Sequence, residues 1–511
     1  MSADLPTETG CADRQRPGAA PWHVVVIGGG ISGLAVAHAL RGAVSAGPAR
    51  DGAKGGATPT DRAATPDVTV LEAGPEIGGK LRVSELDGLP VDEGAESVLA
   101  RRPEAVELIR AVGLEADLVY PATTAASVWT RGALRPLPAG TVMGVPTDLS
   151  ALAASGILSL RGLARVPLDH LLPRTRQPAG EDVAVGAYVR ARLGREVSER
   201  LVDPLLGGVY AGRAEALSLE ATVPALAAAV SGERSLLKAA AKVRREASGS
   251  SASPADPVFA SVRGGLGRLP AAVAAASGAT ILTGTTVREI ARTQHGWRLT
   301  IGSTDTPEQV DADAVVIALP AAPAARLLAA SAPGAGAALG NIPYASVAVA
   351  SYVYARSAFP RLPPGSGVLV PSVEGRLVKA ATLLTSKWGW LGAAAGPDRV
   401  VVRASVGRHR EEAVLQRESD ELLRAVAEDL GGMTGLIGEP IAARLSRWGG
   451  GLPQYQVGHV ARAARARDAA EALPGVVVCG AAYDGIGVAA CVAGAQAAAA
   501  RLLAWRRATR E

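Results

Sequence analysis

Three glycines near the start of the chain have a spacing that could bind phosphate. The run VVVIGGGISGLAVAHAL places Gly28, Gly30 and Gly33 between an apolar, strand-like segment and a helix-like segment. In this arrangement the first glycine permits a tight turn, the second lets the backbone approach a pyrophosphate, and the third lets the helix pack on the strand. The helix N-terminus would then face the phosphates with its partial positive charge. Glycine is abundant in this chain, so the spacing alone is weak evidence, and a glycine-rich turn without a ligand is the alternative.

An acidic residue at the end of the next strand strengthens the case for a dinucleotide. The strand-like segment VTVLE ends at Glu72, where a carboxylate can accept hydrogen bonds from ribose hydroxyls. Glu72 lies about twice as far beyond Gly33 as the roughly 20 residues of the fingerprint. Residues 43–67 have no periodicity and many Gly, Pro and Asp, which predicts a flexible insertion that accounts for the excess.

The composition is that of a folded protein and excludes several classes of function. Hydrophobic residues make up 48% of the 511 residues and charged residues 20%, which excludes a disordered chain. The net charge of +5 comes from scattered basic residues without interleaved aromatics, so we expect no nucleic-acid partner. Cys11, Cys479 and Cys491 form no CxxC pair and the six histidines have no ligand spacing, so we expect no metal site.

The sequence predicts neither a signal peptide nor a membrane span. Residues 1–20 lack a basic start and an apolar centre, which predicts a disordered tail. The longest uncharged stretch, 327–355, has the length of a span, but Pro333, Asn341 and Pro343 interrupt it. We therefore expect a cytoplasmic protein without stable membrane insertion.

The pattern of strands and helices predicts an α/β (α+β) fold in which distant segments complete one domain. A mostly helical segment at 150–241 separates the glycine-rich turn from later strand-like segments, and a strand and helix at 476–505 close the chain. This order predicts a discontinuous Rossmann-like nucleotide-binding domain, a mixed-sheet domain and a helical insert. The predicted boundaries are 21–100, 255–300 and 455–511 for the first domain, 101–140 and 301–454 for the second, and 141–254 for the insert.

Two stretches indicate which nucleotide is bound. LEAGPEIGGKLRV, at 71–83, resembles the second fingerprint of the flavin-containing amine oxidase superfamily, in which the Gly-Gly pair and the following basic residue lie beside FAD. VVVCGAAYDGIGVAACVAGA, at 476–495, resembles the closing strand and helix of that superfamily. A helix N-terminus aimed at the flavin would stabilise the negative charge that builds when the ring accepts a hydride. The resemblance implies FAD, and the strand-like surroundings of Cys479 predict that it is bound non-covalently.

Four further stretches, in the expected order, narrow the family. They are ERLVDPLLGGVYAGRAEALSLEATVPAL, DPVFASVRGGLGRLP, ATLLTSKWGWL and RWGGGLPQYQVGH, and together they resemble the protoporphyrinogen/coproporphyrinogen oxidases of haem biosynthesis. The chain departs from that family at residues 93–97, which read EGAES where many relatives have Gly-Pro, and at Arg213, where an acid is common. The resemblance implies a porphyrinogen substrate, O2 as acceptor and H2O2 as product. A flavin amine oxidase, a carotenoid desaturase and a non-enzymatic FAD-binding protein are the alternatives.

The resemblance also implies the residues that contact FAD, whereas no side chain is predicted to be catalytic because flavin N5 accepts the hydride. Val287 would contact the adenine end through its backbone, although Val287 and Trp448 could equally be core residues. The predicted contacts are Gly28, Gly29, Gly30, Ile31, Ser32 and Gly33 at the pyrophosphate, Glu72 and Ala73 at the ribose, Val287 at the adenine, and Gly79, Lys80, Gly94, Ala95, Glu96, Ser97, Trp448, Gly485, Ile486 and Gly487 along the flavin.

The two substrates of the family differ in their number of carboxylates. Coproporphyrinogen III carries four propionates and protoporphyrinogen IX two, so the former requires a more basic pocket. Arg101, Arg102 and Lys387 could meet propionates by charge-assisted hydrogen bonds, or each could be a solvated surface charge. The Ala/Gly/Arg-rich composition is typical of actinobacteria, which favours coproporphyrinogen III, with protoporphyrinogen IX as the alternative. Transient contact with the next enzyme of haem synthesis is also expected.

Overall fold

A five-stranded parallel sheet forms the centre of the nucleotide-binding half of the chain. The computed structural model describes residues 22–45, 66–175, 181–249 and 257–509, so the predicted tail at 1–20 and most of the insertion at 43–67 lie outside the described residues. The apolar run after Trp22 forms the middle strand because a parallel strand covered on both faces needs apolar side chains throughout. The strand order is Thr280–Leu282, Asp67–Leu71, His23–Ile27, Ala314–Ile317 and Val476–Val478.

Helices cover both faces of this parallel sheet. One face carries Val24 and Val26 and packs against the helices Ile31–Ser45, Pro103–Ala111, Leu269–Ser277 and Val488–Ala508. The other face carries Val25 and Ile27 and packs against the helices Ala321–Leu328, Pro333–Gly340 and His459–Glu471. A small antiparallel sheet completes the second face, with strands Val287–Arg292, Trp297–Gly302 and Pro307–Ala312.

The predicted domain boundaries are wrong at several segments, among them the helices Ala321–Leu328 and Pro333–Gly340, which pack on the parallel sheet although 301–454 was predicted for the mixed-sheet domain. Ala314–Ile317 pairs with His23–Ile27 in the parallel sheet, although it was predicted to belong to the mixed-sheet domain at 301–454. Pro103–Ala111 packs into the same core, although 101–140 was predicted to belong to that domain as well. Both segments are apolar enough for either core, so only their packing partners decide where they belong.

A seven-stranded mixed sheet forms the centre of the other half of the chain. Its strands, in order, are Ala442–Pro453, Tyr344–Ala355, Arg399–Val406, Val378–Leu383, Gly367–Leu369, Ala126–Thr130 and Ala133–Pro136. One face packs against the helix Ser419–Thr434 through a single apolar core. This helix begins at Ser419 because Glu418, with φ of −57° and ψ of 150°, is not helical.

The segment between residues 141 and 254 is mostly helical, as predicted, and has its own core. Its helices are Leu149–Ser155, Leu160–Arg165, Val185–Leu193, Arg195–Val197, Asp203–Tyr210, Leu219–Thr222, Pro224–Gly232 and Leu236–Gly249, with a π-helical turn at Ser198–Val202. The remaining elements are the strands Val83–Leu86, Leu89–Asp92, Val98–Leu99, Leu118–Val119, Thr141–Val142, Val145–Pro146 and Phe259–Val262, the helices Leu384–Lys387 and Gly389–Ala395, and 3-10 turns at Glu115–Asp117, Val166–His170, Leu266–Arg268, Arg356–Ala358, Ser372–Glu374 and Glu412–Gln416.

One helix in the described residues, Val488–Ala508, is long and apolar enough to cross a membrane. Slightly more than half of its most apolar stretch is buried, and it packs against the helix Ile31–Ser45. Its burial is that of a core helix in a folded domain, and such helices pass the same test of length and composition.

Candidate active site

The glycine-rich turn has the shape that pyrophosphate binding requires. Gly28 has a φ of 109°, and a Cβ there would lie 2.7 Å from the carbonyl oxygen of Ala318. A Cβ on Gly33 would overlap with the carbonyl oxygen of Gly28, so this glycine permits the close packing of helix on strand. A Cβ on Gly30 would meet no atom within 4 Å. The turn therefore leaves open space at Gly30, directly before the helix that begins at Ile31.

Glu72 lies beside this turn, as the fingerprint requires. Its two carboxylate oxygens accept hydrogen bonds from Gly29 N at 2.8 Å and from Gly74 N at 2.7 Å. Gly78 N donates to Gly29 O at 2.8 Å, which joins the segment after Glu72 to the turn. Ala73 is exposed next to Glu72. The half-buried carboxylate is thus held at the edge of the sheet where a ribose would lie.

Lys80, Gly94 and Trp448 come together although they are far apart in the sequence. Ala95 N donates to Lys80 O at 3.1 Å, and Trp448 Nε1 donates to Glu93 O at 3.0 Å. A Cβ on Gly94 would overlap with Lys80 O and lie 3.3 Å from the Trp448 ring, so only glycine fits between them. The Lys80 side chain is exposed to solvent, but the surrounding protein removes part of its hydration, and this desolvation lowers its pKa.

The N-terminus of the last helix points into the same region. The helix begins at Val488, after Gly487, and a Cβ on Gly487 would meet no atom within 4 Å. Cys491 Sγ donates to Gly485 O at 3.6 Å. Burial raises the pKa of Cys491, while a hydrogen bond from Ser32 and the charge of Lys80 lower it. Cys491 therefore links the glycine-rich turn, Lys80 and the helix N-terminus, while the side chain of Ile486 packs against the helical insert.

The stretch PQYQVGH fixes this N-terminus to the rest of the molecule. Tyr455 Oη donates to Ala481 O at 2.5 Å, and Gln454 Nε2 donates to Tyr210 O at 2.6 Å. The His459 ring stacks on Tyr455 with ring centroids 3.8 Å apart, and burial lowers the pKa of His459 to about 4. His459 is therefore neutral at physiological pH. The two hydrogen bonds connect the stretch to both the helical insert and the C-terminal segment.

The loop that reads EGAES carries a buried ion cluster. Lys387 Nζ lies 2.6 Å from one oxygen of Glu96, and Arg403 Nη1 lies 3.2 Å from the other. Arg403 Nη2 also donates to Gly94 O at 2.6 Å. Burial would raise the pKa of Glu96, but Lys387 and Arg403 lower it overall. Ser97 follows in the same loop. Glu96, which departs from the family pattern, is neutralised by Lys387 and Arg403.

The three residues predicted to bind substrate are separated in the structure. Lys387 lies at the flavin-side loop as expected, but its charge is neutralised by Glu96. Arg101 and Arg102 are exposed at the start of the helix Pro103–Ala111, and Arg102 pairs with Glu104 at 3.1 Å. Their exposure agrees with the alternative of solvated surface charges, and their contact with substrate stays a prediction.

Some of the predicted residues serve the core as well as the site. The side chain of Val287 packs against the core of the small antiparallel sheet, while its strand begins near the Glu72 backbone. Thr285 N donates to Glu72 O at 2.8 Å, so the backbone just before Val287 lies beside Glu72. The contact of the Val287 backbone with the adenine stays a prediction. No group of three His, Cys, Asp or Glu residues that could hold a metal ion occurs within the described ranges.

Sequence reasoning missed Arg403, which touches both Gly94 and Glu96. Its strand reads RVVVRASV, and a charged residue inside such an apolar run is itself a signal, because a buried charge needs a partner. Lys379, in the strand VKAATL, carries the same signal.

This geometry fits FAD. The turn leaves open backbone at Gly30, Glu72 lies where a ribose would bind, and the N-terminus at Gly487 leaves open space on the flavin side. Together these features define a flavoprotein in which both the parallel sheet and the seven-stranded sheet supply residues that would hold the cofactor.

Comparisons with known proteins agree with this class. Residues 31–503 match the family model described as flavin containing amine oxidoreductase, and the chain belongs to that family, in the branch that contains the coproporphyrinogen III oxidases. The chain is 31% identical to the coproporphyrinogen III oxidase of Bacillus subtilis, with 94% of this chain and 98% of that protein covered. It is 35% identical to the coproporphyrinogen III oxidase of Mycobacterium tuberculosis, with 93% and 96% covered.

The solved structures agree as well. A protein from Exiguobacterium sp. 255-15 has a TM-score of 0.80 at 30% identity, with 95% of this chain and all of that chain covered. Cyclohexylamine oxidase from Brevibacterium oxydans has a TM-score of 0.65 at 17% identity over 96% of this chain and all of that chain, which shows the fold alone. The predicted α/β fold, FAD cofactor and oxidoreductase class are confirmed.

Proposed function

We propose that this protein oxidises coproporphyrinogen III to coproporphyrin III in haem synthesis, with O2 as electron acceptor. Six hydrogens leave the substrate as three hydrides and three protons, and three O2 become three H2O2. The observation that supports this most directly is the cleft where Lys80, Trp448 and the helix N-terminus at Gly487 meet a sheet face that carries Arg403. Curated relatives that match across more than nine-tenths of the chain carry the same activity in their names.

The side chains of the site bind and orient rather than react. The chemistry that FAD supplies when bound is hydride acceptance, followed by electron transfer to O2. Glu72 and the glycine-rich turn would hold its dinucleotide end, and Trp448 with Lys80 would line its ring end. The N-terminus of Val488–Ala508 contributes positive potential where negative charge develops. We assign no general base, so positioning of the bridge carbon carries the catalysis.

Protoporphyrinogen IX is the second candidate substrate. The protoporphyrinogen oxidase 1 of Arabidopsis thaliana is 28% identical to this chain, with 92% of this chain and 86% of that protein covered. The relatives of Bacillus subtilis and Mycobacterium tuberculosis that are named for coproporphyrinogen III are 31% and 35% identical, which favours the first candidate. A flavin amine oxidase is more remote, because amine oxidase structures resemble this chain below 20% identity.

The decisive experiment compares both porphyrinogens on one preparation of purified holoprotein. Porphyrin fluorescence reports the product, and a peroxidase-coupled assay reports H2O2. We expect a higher kcat/KM for coproporphyrinogen III and one H2O2 for each pair of hydrogens removed. A preference for protoporphyrinogen IX would overturn the substrate assignment, and turnover of amines without porphyrinogen oxidation would overturn the reaction.

Cellular placement is part of the proposal. We expect a cytoplasmic protein that makes transient contact with the next enzyme of haem synthesis and does not insert stably into membranes. The burial of the helix Val488–Ala508 supports this placement. Recovery in the membrane fraction after a low-salt wash would contradict it.

A further inference from the structure

Arg213, which departs from the family pattern, forms an ion pair between the helical insert and the seven-stranded sheet. It lies three residues beyond the helix Asp203–Tyr210, and its Nη2 donates to Glu411 Oε1. Glu411 lies in the loop that follows the strand Arg399–Val406 of that sheet. The pair therefore joins two segments that are 198 residues apart in the sequence.

The loop that carries Arg213 also meets the sheet through its backbone. Ala211, the residue directly after the helix, accepts a hydrogen bond from His409 N at 2.8 Å. Ala211 is fully buried and packs in one cluster with Val347, and the ring of Trp448 packs against this cluster. Since Trp448 is predicted to line the flavin, the loop connects the ion pair with the flavin side of the site.

The two facing loops each contain a residue in a conformation that side chains rarely adopt. Ala211 has a φ of 51° and Arg410 has a φ of 70°, which are left-handed values that are uncommon outside glycine. Such conformations persist where surrounding contacts impose them, and they cluster at functional sites. Their occurrence on both sides of this junction indicates that contacts between the insert and the sheet fix its geometry.

The helix Asp203–Tyr210 is attached at both of its ends. At its start, Asp203 accepts hydrogen bonds from Ser372 Oγ at 2.8 Å and from Ala214 N at 3.1 Å. Directly after its end, Arg213 pairs with Glu411. The first attachment is buried at Asp203, whereas the second is half exposed. The ion pair is therefore the attachment that can be altered with the least damage to the core.

Open space borders this helix on the side of the sheet. A Cβ on Gly208 would lie 3.5 Å from the side chain of Leu369 in the strand Gly367–Leu369, yet Gly208 is exposed to solvent. Val209, the next residue, is 45% exposed. The gap between helix and sheet is thus open at Gly208, three residues before Ala211 meets the cluster beside Trp448. The position of the helix determines the width of this gap.

Glu411 acts on a second, buried arginine as well. Burial lowers the pKa of Arg408, and among the charges around it Glu411 has the largest opposing effect, followed by Asp203. Asp429 also raises the pKa of Arg408, while Arg213 lowers it. Removal of Arg213 therefore leaves Glu411 beside one cation, whereas removal of Glu411 leaves two cations near each other. Substitutions of Arg213 are accordingly the more selective test.

We propose that Arg213 is a positioning residue for porphyrinogen binding, because its ion pair with Glu411 holds the helix Asp203–Tyr210 at the distance from the sheet that the substrate requires. This inference rests on the proposed function, since it takes the gap beside the helix to receive the porphyrinogen. Arg213 acts through the helix and not by contact with the substrate.

The test compares five variants of the holoprotein. Arg213→Met removes the charge, Arg213→Lys keeps it, Glu411→Gln removes the partner, and a double variant combines Arg213→Met with Glu411→Gln. The control Arg298→Met removes a similarly exposed arginine that pairs with Asp311 on the small antiparallel sheet. The first measurement is the dissociation constant of coproporphyrin III, followed by porphyrin absorbance, which needs no turnover. Steady-state oxidation of coproporphyrinogen III then gives kcat and KM separately.

We expect Arg213→Met to weaken coproporphyrin binding and to raise KM by about two- to fivefold, the range that a half-exposed ion pair allows. The kcat should stay within about 1.5-fold of the wild type, because the flavin and the bridge carbon are not in contact with Arg213. Arg213→Lys should bind nearly as tightly as the wild type, and Arg298→Met should match it. In the Glu411→Gln background, Arg213→Met should weaken binding no further, since the pair is already lost.

The outcomes separate the two proposals. If the wild type neither binds coproporphyrin nor oxidises a porphyrinogen, the proposed function fails. If the wild type does both and Arg213→Met matches Arg298→Met, only the present inference fails. An equal effect of Arg213→Met with and without Glu411 would also overturn it, as would a loss of flavin content that parallels the loss of binding. Thermal unfolding verifies folding, and if Arg213→Met does not fold, Glu411→Gln with wild-type KM would overturn the inference.

Discussion

Substitution by alanine should affect stability at one glycine of the phosphate-binding turn and FAD binding at another. A Cβ on Gly33 would overlap with Gly28 O and lie 3.2 Å from a side-chain carbon of Val26. A Cβ on Gly30 would meet no atom within 4 Å, and neither glycine has a left-handed φ. Gly33→Ala must therefore disturb the packing of helix on strand, whereas Gly30→Ala should leave the fold intact and obstruct FAD.

The magnitudes follow from these surroundings. Overpacking costs about 1–3 kcal/mol, and Gly28 cannot easily move because its N–H donates to Leu71 O at 2.8 Å. Alanine recovers up to about 1 kcal/mol of helix propensity, so we expect Gly33→Ala to lose about 1–2 kcal/mol of unfolding free energy. Gly30→Ala should change that free energy by less than about 0.5 kcal/mol. Loss of one charge-assisted hydrogen bond to phosphate would weaken FAD binding by roughly 10- to 100-fold.

The assay uses apoprotein prepared from both variants. Thermal unfolding followed by circular dichroism measures stability without FAD, and titration with FAD followed by flavin fluorescence measures affinity. Gly30→Ala should unfold with the wild-type apoprotein and bind FAD poorly, while Gly33→Ala should unfold at a lower temperature. A Gly30→Ala variant with wild-type affinity would refute the position of the phosphates, and a Gly33→Ala variant of wild-type stability would refute the packing argument.

Three further predictions concern the cofactor and the buried charges. FAD should leave the protein on acid precipitation, because Cys479 is sealed in the core and burial raises its pKa to about 12; a yellow pellet would contradict non-covalent binding. Glu96→Gln should lower the unfolding free energy by about 3–5 kcal/mol, since it leaves Lys387 and Arg403 buried without their counter-charge. The wild type should lose this contribution as the pH falls below the ordinary Glu pKa of 4.5, and the variant should not, as urea unfolding at several pH values would measure. The pKa of Lys379 is lower in the folded protein than its ordinary 10.5, so wild-type stability should rise from pH 7 to 10 relative to Lys379→Met; a constant difference would contradict the burial of the amine.

The sequence predicted the parts of the site whose signals are local. The glycine turn, Glu72 and the Gly-Gly-Lys stretch that ends at Lys80 are short motifs, and the structure brings them together as expected. The position of Ala314–Ile317 was predicted wrongly because its partner strand His23–Ile27 is remote in the chain, and an apolar run has no mark of which sheet it enters. The sheet that such a strand joins can be assigned only after the pairing of the strands is known.

Buried charges on strands were missed for a related reason. Arg403 and Lys379 each interrupt an apolar strand, but the face that each occupies depends on strand register and, for Lys379, on a bulge that inverts the alternation. The partner of Lys387 could not be predicted either, because Glu96 lies in a distant loop. Charge that is visible in a sequence is therefore a guide to a site only after its partners are known.

The paired charges beside the flavin-side loop have a consequence for substrate orientation. Near the flavin-side loop, Glu96 balances Arg403 and Lys387, so that region presents little free positive charge to a carboxylate. A porphyrinogen carries its carboxylates at the periphery and its oxidisable bridges between apolar pyrroles. On the proposed function, the propionates would therefore stay away from this loop, which leaves a bridge carbon facing the flavin.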